Sequence, residues 1–288
     1  MNENAIEMCG LEKHFKDFSL GPLDFTIPTG CIVGYIGENG AGKSTTIKLI
    51  LGLLRPDTGH IKVLGQEVGH GKQELMNKIG VVFDDLHLPG EMKIKEVGKF
   101  SEMSFATWQE ETFSNLLNHF DLPVQQRIKN LSRGMKMKLS LGIALSHQAE
   151  LLILDEATSG LDPVVRDEIL DLLLDFLQDE GHTVFISSHI LSDLEKAADY
   201  IALIHEGKLL FMEQKDELRE QYALCSLSKE MAERLDHKAI IGRREHAFGE
   251  DLLVKRDLVP SGIELSKPTI EDIMVYIIKG DTHEGIAI

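Results

Sequence analysis

Cysteine, positive charge and long apolar runs are all scarce in this sequence. The three cysteines, Cys9, Cys31 and Cys225, are far apart and lack metal-ligand spacing, so we expect packed, reduced thiols rather than a disulfide scaffold or a cysteine metal site. The 30 lysines and arginines are outnumbered by 47 acidic residues, which gives a formal net charge of −17. This charge argues against sequence-independent nucleic-acid binding, because that function requires a basic face.

No apolar run approaches the roughly 20 residues that a helix needs to cross a bilayer. The first four residues, MNEN, lack the charged and apolar regions of a signal peptide. We therefore expect a chain without a membrane span of its own, working in a reducing cytoplasm. Its 288 residues are enough for one large domain with an appendage.

The segment GENGAGKST, residues 37–45, matches the phosphate-loop pattern G-x-x-x-x-G-K-[ST] at every fixed position. A strand-length apolar run, residues 31–36, precedes it, and helix-spaced aliphatic residues follow to position 53. Glycines let the backbone approach a polyphosphate, and the following helix presents its positive end to the same anion. The sequence therefore predicts a nucleoside-triphosphate site made by Gly37, Asn39, Gly40, Ala41, Gly42, Lys43, Ser44 and Thr45.

Four side chains carry the predicted chemistry. Lys43 is expected to bridge the terminal phosphates, and Ser44 to offer its hydroxyl to the accompanying Mg²⁺. A second motif is an apolar strand, residues 151–154, that ends in Asp155 and Glu156. We predict that Asp155 holds Mg²⁺ through water and that Glu156 accepts a proton from the attacking water.

Three more segments carry a family resemblance. LSRGM at residues 131–135 resembles the signature motif of ATP-binding cassette (ABC) ATPases, SGLD at 159–162 resembles their D-loop, and SSH at 187–189 ends where their switch histidine is expected. The resemblance covers residues 6–213. The subgroup that the chain most resembles is the nucleotide-binding subunit of drug, peptide and antibiotic exporters.

The resemblance implies a head-to-tail dimer with two ATP molecules sandwiched at its interface. In such a dimer, Ser132 and Gly134 reach the γ-phosphate of ATP bound to the other subunit, and Asp162 braces the interface. From the residues alone, Ser132 is a helix N-cap hydroxyl and Gly134 leaves room in the first turn, so this helix is either an anion site at its N-terminus or an ordinary capped helix. The sequence does not decide whether the second cassette is an identical or a different chain.

Two other site residues follow from the same resemblance. His189 is expected to form a hydrogen bond to the γ-phosphate. Phe15 matches the aromatic residue that stacks on adenine, with Phe18 as the alternative. The implied ligands are therefore ATP and Mg²⁺.

The sequence departs from the family pattern at two places. The lid loop after the third sheet strand usually carries glutamine, but the best-aligned residue here is Asp84, with Asp85 as the alternative. An aspartate is a Mg²⁺ ligand too, but it is shorter and acidic, so metal affinity and coupling to the membrane partner are expected to differ. The signature has Arg133 and Met135 where glycine and glutamine are common, while its serine and second glycine are retained.

The order of the patterns predicts an α/β fold, with a P-loop core containing a mainly parallel sheet, an antiparallel β-subdomain, a helical insertion and a small C-terminal α+β domain. We assign residues 1–222 to the cassette, with the helical insertion at about 86–150, and residues 223–288 to the accessory domain. Predicted strands lie at 6–11, 20–27, 61–64, 79–83, 151–154, 184–187, 200–205 and 208–213; predicted helices lie at 163–178, at 216–222 and at 269–278, the last capped by Gly280.

The expected function is ATP hydrolysis that powers a separate integral membrane permease, docked near residues 84–99 and the helical insertion. This places the chain peripherally on the inner face of the cell membrane. The alternatives are a soluble non-transport ABC ATPase and a regulatory nucleotide-binding module. A ribosomal ABC ATPase normally carries two cassettes, whereas one phosphate loop is present, and Glu156 opposes a module without turnover.

Overall fold

The computed structural model describes residues 3–69 and 73–280. The strands are β1 (Asn4–His14), β2 (Ser19–Pro28), β3 (Ile32–Ile36), β4 (Thr58–Val63), β5 (Gln66–Glu67), β6 (Ile79–Val82), β7 (Leu151–Asp155), β8 (Thr183–Ser187), β9 (Tyr200–His205), β10 (Lys208–Gln214), β11 (Tyr222–Leu227), β12 (Ile240–His246) and β13 (Gly249–Lys255). The helices are α1 (Lys43–Ile50), α2 (Gln73–Met76), α3 (Ile94–Glu102), α4 (Glu110–His119), α5 (Arg133–Leu145), α6 (Pro163–Phe176), α7 (Leu191–Ala197), α8 (Lys215–Gln221), α9 (Lys229–Ala232) and α10 (Ile270–Gly280).

The central sheet has the strand order β10-β9-β3-β8-β7-β6, in which only β10 runs antiparallel to its neighbour. Strands β3, β7 and β8 are buried at every position, because both faces of the sheet are covered. The carboxyl ends of these three adjacent parallel strands therefore meet at one edge of the sheet. The predicted mainly parallel core is confirmed.

A four-stranded sheet, β2-β1-β4-β5, forms the predicted antiparallel subdomain. It shares one apolar cluster with α1 and with one face of β3, through Val33 and Tyr35. The opposite face of β3, through Ile32 and Ile36, belongs to a second cluster with residues of α5, α6 and α7. The alternation along β3 thus joins the core on both sides of the central sheet.

The helical insertion contains α3, α4, α5 and a short 3₁₀ turn, Ile128–Asn130, around its own apolar cluster of residues such as Ile94 and Phe113. His147 connects this insertion to the core. Its Nδ1 lies 3.0 Å from the Asn77 carbonyl oxygen, and its ring stacks on Phe105 at a centroid distance of 4.1 Å. Burial lowers the pKa of His147, which keeps the ring neutral in this contact.

The C-terminal segment forms a three-stranded antiparallel sheet, β11-β13-β12, and helix α10. Leu252 and Val254 of β13 lie in a small local cluster, whereas Leu253 and the α10 residues Ile270 and Ile273 share the main core. Strand β11 begins at Tyr222, where the sequence predicted the end of a charged helix. The domain boundary at 222/223 stays a prediction, and residues 281–288 lie outside the described residues.

Candidate nucleotide site

The phosphate loop joins β3 to α1 and requires glycine at two positions for steric reasons. A Cβ on Gly37 would lie 2.4 Å from the Ile204 carbonyl oxygen, so no larger residue fits beneath the loop. Gly42 caps α1 at φ +116°, a backbone conformation that L-amino acids rarely adopt. Gly40, at φ +85°, has nothing within 4 Å of its Cβ position, so the tip of the loop is open to a ligand.

The Lys43 side chain lies across this loop and is only 5% exposed. Its ammonium donates to the carbonyl oxygens of Gly37, at 2.7 Å, and Glu38, at 3.2 Å. It also lies 3.3 Å from Glu156 Oε1. A buried cation held by backbone dipoles and a carboxylate is well placed to bind a phosphate at the same position.

The acidic pair lies at the carboxyl end of β7, next to the end of β8. Ser187 Oγ donates to Asp155 Oδ1 at 2.7 Å and accepts from the Glu156 amide at 3.0 Å. Glu156 has φ +53°, a left-handed conformation that is strained for a non-glycine residue. Its Oε2 contacts His189 Nδ1, and its Oε1 faces Lys43. Glu156 therefore contacts both other residues that were predicted to be catalytic, Lys43 and His189.

The cleft beside the loop has a volume of about 490 Å³ and contains all three predicted metal ligands. It is lined by Ser44, Lys48, Leu53, Phe83, Asp84, His87, Asp155 and Glu156. Asp85, the alternative lid residue, instead accepts from the Leu86 amide at 2.9 Å and lies 3.5 Å from Lys136 Nζ. These two partners hold the pKa of Asp85 below its usual range. Of the two lid candidates, Asp84 is the one that lines the cleft.

The oxygen donors of the cleft suit Mg²⁺, which prefers hydroxyl, carboxylate and water ligands. Within residues 3–69 and 73–280, no group of three or more His, Cys, Asp or Glu side chains is arranged to hold a metal ion by itself. A magnesium ion here would therefore need phosphate oxygens as well as Ser44, Asp84 and Asp155, as is usual for Mg²⁺ that accompanies a nucleotide.

The signature residues lie at the N-terminus of α5, apart from this cleft. Ser132 caps the helix, and its Oγ accepts a hydrogen bond from the Met135 amide at 3.2 Å. A Cβ on Gly134 would have ordinary contacts with Val165, at 3.5 Å or more. Among the described residues that line the cleft, neither Ser132 nor Gly134 occurs. The signature of one chain therefore does not line its own cleft.

The D-loop lies beside the signature of the same chain. The Arg133 guanidinium covers Gly160, where a Cβ would lie 3.0 Å from one of its nitrogens. Asp162 caps α6 through its Oδ1, which accepts from the amides of Val164, at 3.2 Å, and Val165, at 3.1 Å. Asp162 thus has a structural role within its own chain, in addition to the interface role that the resemblance implies.

Phe15 and Phe18 lie in the loop between β1 and β2. Phe15 is 44% exposed, with Lys13 Nζ 6.0 Å from its ring centroid. Phe18 lies 6.2 Å away between centroids and packs beneath the phosphate loop, since a Cβ on Gly42 would approach its ring to 3.2 Å. Only Phe15 of this pair therefore presents an open ring for stacking.

Sequence reasoning missed two residues of this region. It did not single out Ser187, which ends β8 and donates to Asp155. His87 lines the cleft and forms an edge contact with Phe83, at a centroid distance of 5.8 Å, and no motif marks it.

The parallel sheet, the glycine loop and the acidic strand end define a P-loop nucleoside triphosphatase. Residues 20–159 match the ABC transporter family. The bacitracin transport ATP-binding protein of Bacillus licheniformis is 31% identical over 292 residues, covering 92% of this chain and 94% of that protein. A lantibiotic transport ATP-binding protein of Streptococcus pyogenes is 36% identical over 218 residues, covering 73% and 91%.

A solved structure of an ATP-binding subunit of an ABC transporter has a TM-score of 0.69 and 27% identity, covering 75% of this chain and 92% of that one. The chain belongs to the ATP-binding subunits of ABC transporters. The family, the fold and the ATPase class that the motifs predicted are thereby confirmed. In the part of the chain that the structure describes, no helix is both long and apolar enough to span a membrane.

Proposed function

We propose that this chain hydrolyses ATP with Glu156 as the general base and so powers a separate membrane permease that exports a peptide antibiotic or another hydrophobic compound. The observation that carries the chemistry is the position of the Glu156 carboxylate, with Lys43 on one oxygen and His189 on the other, above the phosphate loop. The export class is supported by the bacitracin and lantibiotic transport relatives.

The residues of the cleft divide the work of hydrolysis. When ATP binds, Lys43 contacts the γ-phosphate instead of Glu156. The Glu156 carboxylate is then free to accept a proton from the attacking water. Lys43 then neutralises negative charge on the phosphate, and His189 donates to the same group. Ser44, Asp155 and Asp84 hold Mg²⁺, which supplies further charge neutralisation when bound.

Hydrolysis requires a second cassette in this proposal. The open N-terminus of α5 supports the idea, because Ser132 and Gly134 lie outside their own cleft and present a helix N-terminus to an anion. In a head-to-tail dimer, each signature completes the site of the other chain. ATP binding closes the dimer, and hydrolysis releases it. The dimer is either identical or mixed, because the chain carries both kinds of half-site.

The permease contact is proposed for the lid loop and the helical insertion, residues 84–99 and the helices that follow. Phe100 and Met103, at the end of α3, expose 41% and 79% of their surface, and such apolar side chains suit a protein contact. Docking there places the chain on the inner face of the membrane. It also links Asp84 in the cleft to the partner through a short loop.

The test is steady-state Mg-ATP hydrolysis by the purified chain and by Glu156→Gln, with light scattering to follow ATP-dependent dimers. The proposal expects turnover in the parent, and an inactive variant that stays dimeric in ATP. Copurification of an integral membrane protein would support the transport role. Full turnover in Glu156→Gln would refute the assignment of the base.

A further inference from the structure

Three polar side chains that the proposed chemistry does not use meet where the loop after β7 lies against helices α6 and α7. Asp193 on α7 and Thr158 after β7 are almost completely buried, at 3% and 0% exposure. Arg166 on α6 reaches both surrounding segments. Its Nε lies 3.7 Å from Asp193 Oδ2, and one of its terminal nitrogens donates to the Leu161 carbonyl oxygen at 3.0 Å.

This cluster is only partly hydrogen-bonded. Within residues 3–69 and 73–280, no group makes a hydrogen bond to Thr158 Oγ1, Arg166 Nε or Asp193 Oδ2. Burial raises the pKa of the Asp193 carboxyl, and the nearby Thr158 hydroxyl and Arg166 guanidinium offset this only in part. Desolvation offsets the attraction in such a partly buried charge pair, so its presence is weak evidence for a role in stability alone.

The cluster joins the two loops that carry the reacting side chains. Thr158 and Leu161 belong to the loop that starts with Glu156, at the end of β7. Asp193 lies in the first turn of α7, four positions after His189, which follows the end of β8. Arg166 binds the first loop through Leu161 and the helix of the second through Asp193. His189, after β8, contacts Glu156, after β7.

We infer that Arg166 and Asp193 form a positioning pair that fixes His189 relative to Glu156 and so sets the rate of ATP hydrolysis without touching the nucleotide. This inference rests on the roles given to Glu156 and His189 in the proposed function. It predicts an effect on kcat with little effect on KM, because the phosphate loop and α1 are not involved.

The chain offers a matched control on the same two helices. Lys196 of α7 and Asp167 of α6 form an ion pair at 2.7 Å, with 65% and 60% of their side chains exposed. This pair bridges α6 and α7 at the surface and touches neither loop. Lys196→Ala is therefore expected to leave kcat within about twofold of the parent, as exposed ion pairs contribute little.

The experiment measures kcat, KM and thermal unfolding for Asp193→Asn in the full-length chain, with and without His189→Ala. Single-turnover hydrolysis of radiolabelled ATP makes low rates measurable. Asp193→Asn is expected to lower kcat about tenfold in the parent, with KM within about twofold, and by less than about twofold in the His189→Ala background. Arg166→Lys should keep part of the rate that Arg166→Ala loses. Thr158→Val replaces Asp193→Asn if that variant does not fold.

The outcomes separate this inference from the proposed function. Equal losses with and without the His189 side chain would overturn the inference alone, because the pair would then act elsewhere. A His189→Ala variant with the parent kcat would refute the role of His189 in the proposed function, and this inference with it. A loss in Lys196→Ala as large as in Asp193→Asn would show a general effect of helix packing and would also overturn the inference.

Discussion

The N-termini of α1 and α5 both follow a motif that binds phosphate in the ABC family, but they lie in different surroundings. At α1, Lys43 is buried 3.3 Å from Glu156, and the cleft beside it is lined by Asp155 and Glu156. At α5, Ser132 is exposed and its hydroxyl caps its own helix. The first terminus carries reacting groups, whereas the second offers only helix-end donors. In the proposed head-to-tail dimer, these two termini are the two half-sites that the chains complete for each other.

The largest expected effect breaks the first half-site. Glu156→Gln removes the proposed base but keeps a similar volume, so kcat should fall about a thousandfold while ATP still binds. Phosphate release measures the loss. The control is Glu150→Gln, since Glu150 lies just before the opposite end of β7 in an exposed pair with Lys78 and should leave kcat within about twofold. A Glu156→Gln rate above a tenth of the parent rate would contradict this assignment.

The next effect breaks the second half-site. Gly134→Asp places a negative charge at the α5 N-terminus, where there is room for a side chain beside Val165. We expect kcat to fall about a hundredfold, because the charge repels the partner's phosphate, while ATP affinity of the separate chain is kept. Gly142→Ala, deeper in α5 and 3.6 Å from the Phe113 ring, serves as the control. Weaker ATP binding by separate Gly134→Asp chains would place the signature in the cleft of its own chain.

A smaller effect is expected where the first half-site binds the adenine ring of ATP. Phe15→Ala removes an exposed ring, and the Kd for ATP is expected to rise about tenfold, in line with a typical stacking energy. Fluorescent nucleotide titration measures it. Phe18→Leu, which keeps an apolar side chain beneath Gly42, should change the Kd less than about twofold. The reverse order of effects would assign adenine stacking to Phe18.

The smallest effect distinguishes the two acids of the lid. Asp84→Asn removes the charge of a proposed Mg²⁺ ligand from the cleft, so the Mg²⁺ concentration for half-maximal hydrolysis should rise roughly threefold to fivefold. Asp85→Asn should leave it unchanged, because Asp85 contacts Leu86 and Lys136 outside the cleft. A larger effect from Asp85→Asn would reverse the assignment.

Local sequence patterns predicted the motifs of the site but not the contacts between strands and helices that position them. The phosphate loop and the acidic strand end are contiguous motifs, so their strand and helix context was visible in the sequence. Ser187 escaped notice because its contact with Asp155 depends on β8 lying next to β7, which only the strand order reveals. The link between Arg166 and Asp193 was invisible for the same reason.

The C-terminal segment shows the same limit. The helix at 269–278 was predicted, but the first residue of β11, Tyr222, was assigned to the end of a charged helix, because α8 passes into β11 without a turn signal. Ile270 and Ile273 pack into the main core. This long-range contact cannot be read from the hydrophobic periodicity of the sequence.

The most direct test of two half-sites is a mixing experiment with Lys43→Ala and Gly134→Asp chains. Each variant alone is expected to be inactive, since both sites of its dimer carry one defect. In a head-to-tail mixed dimer, one site combines an intact phosphate loop with an intact signature, so an equal mixture should recover roughly a quarter of the parent rate. A mixture that stays as inactive as its components, while mixed dimers are shown to form, would contradict the account.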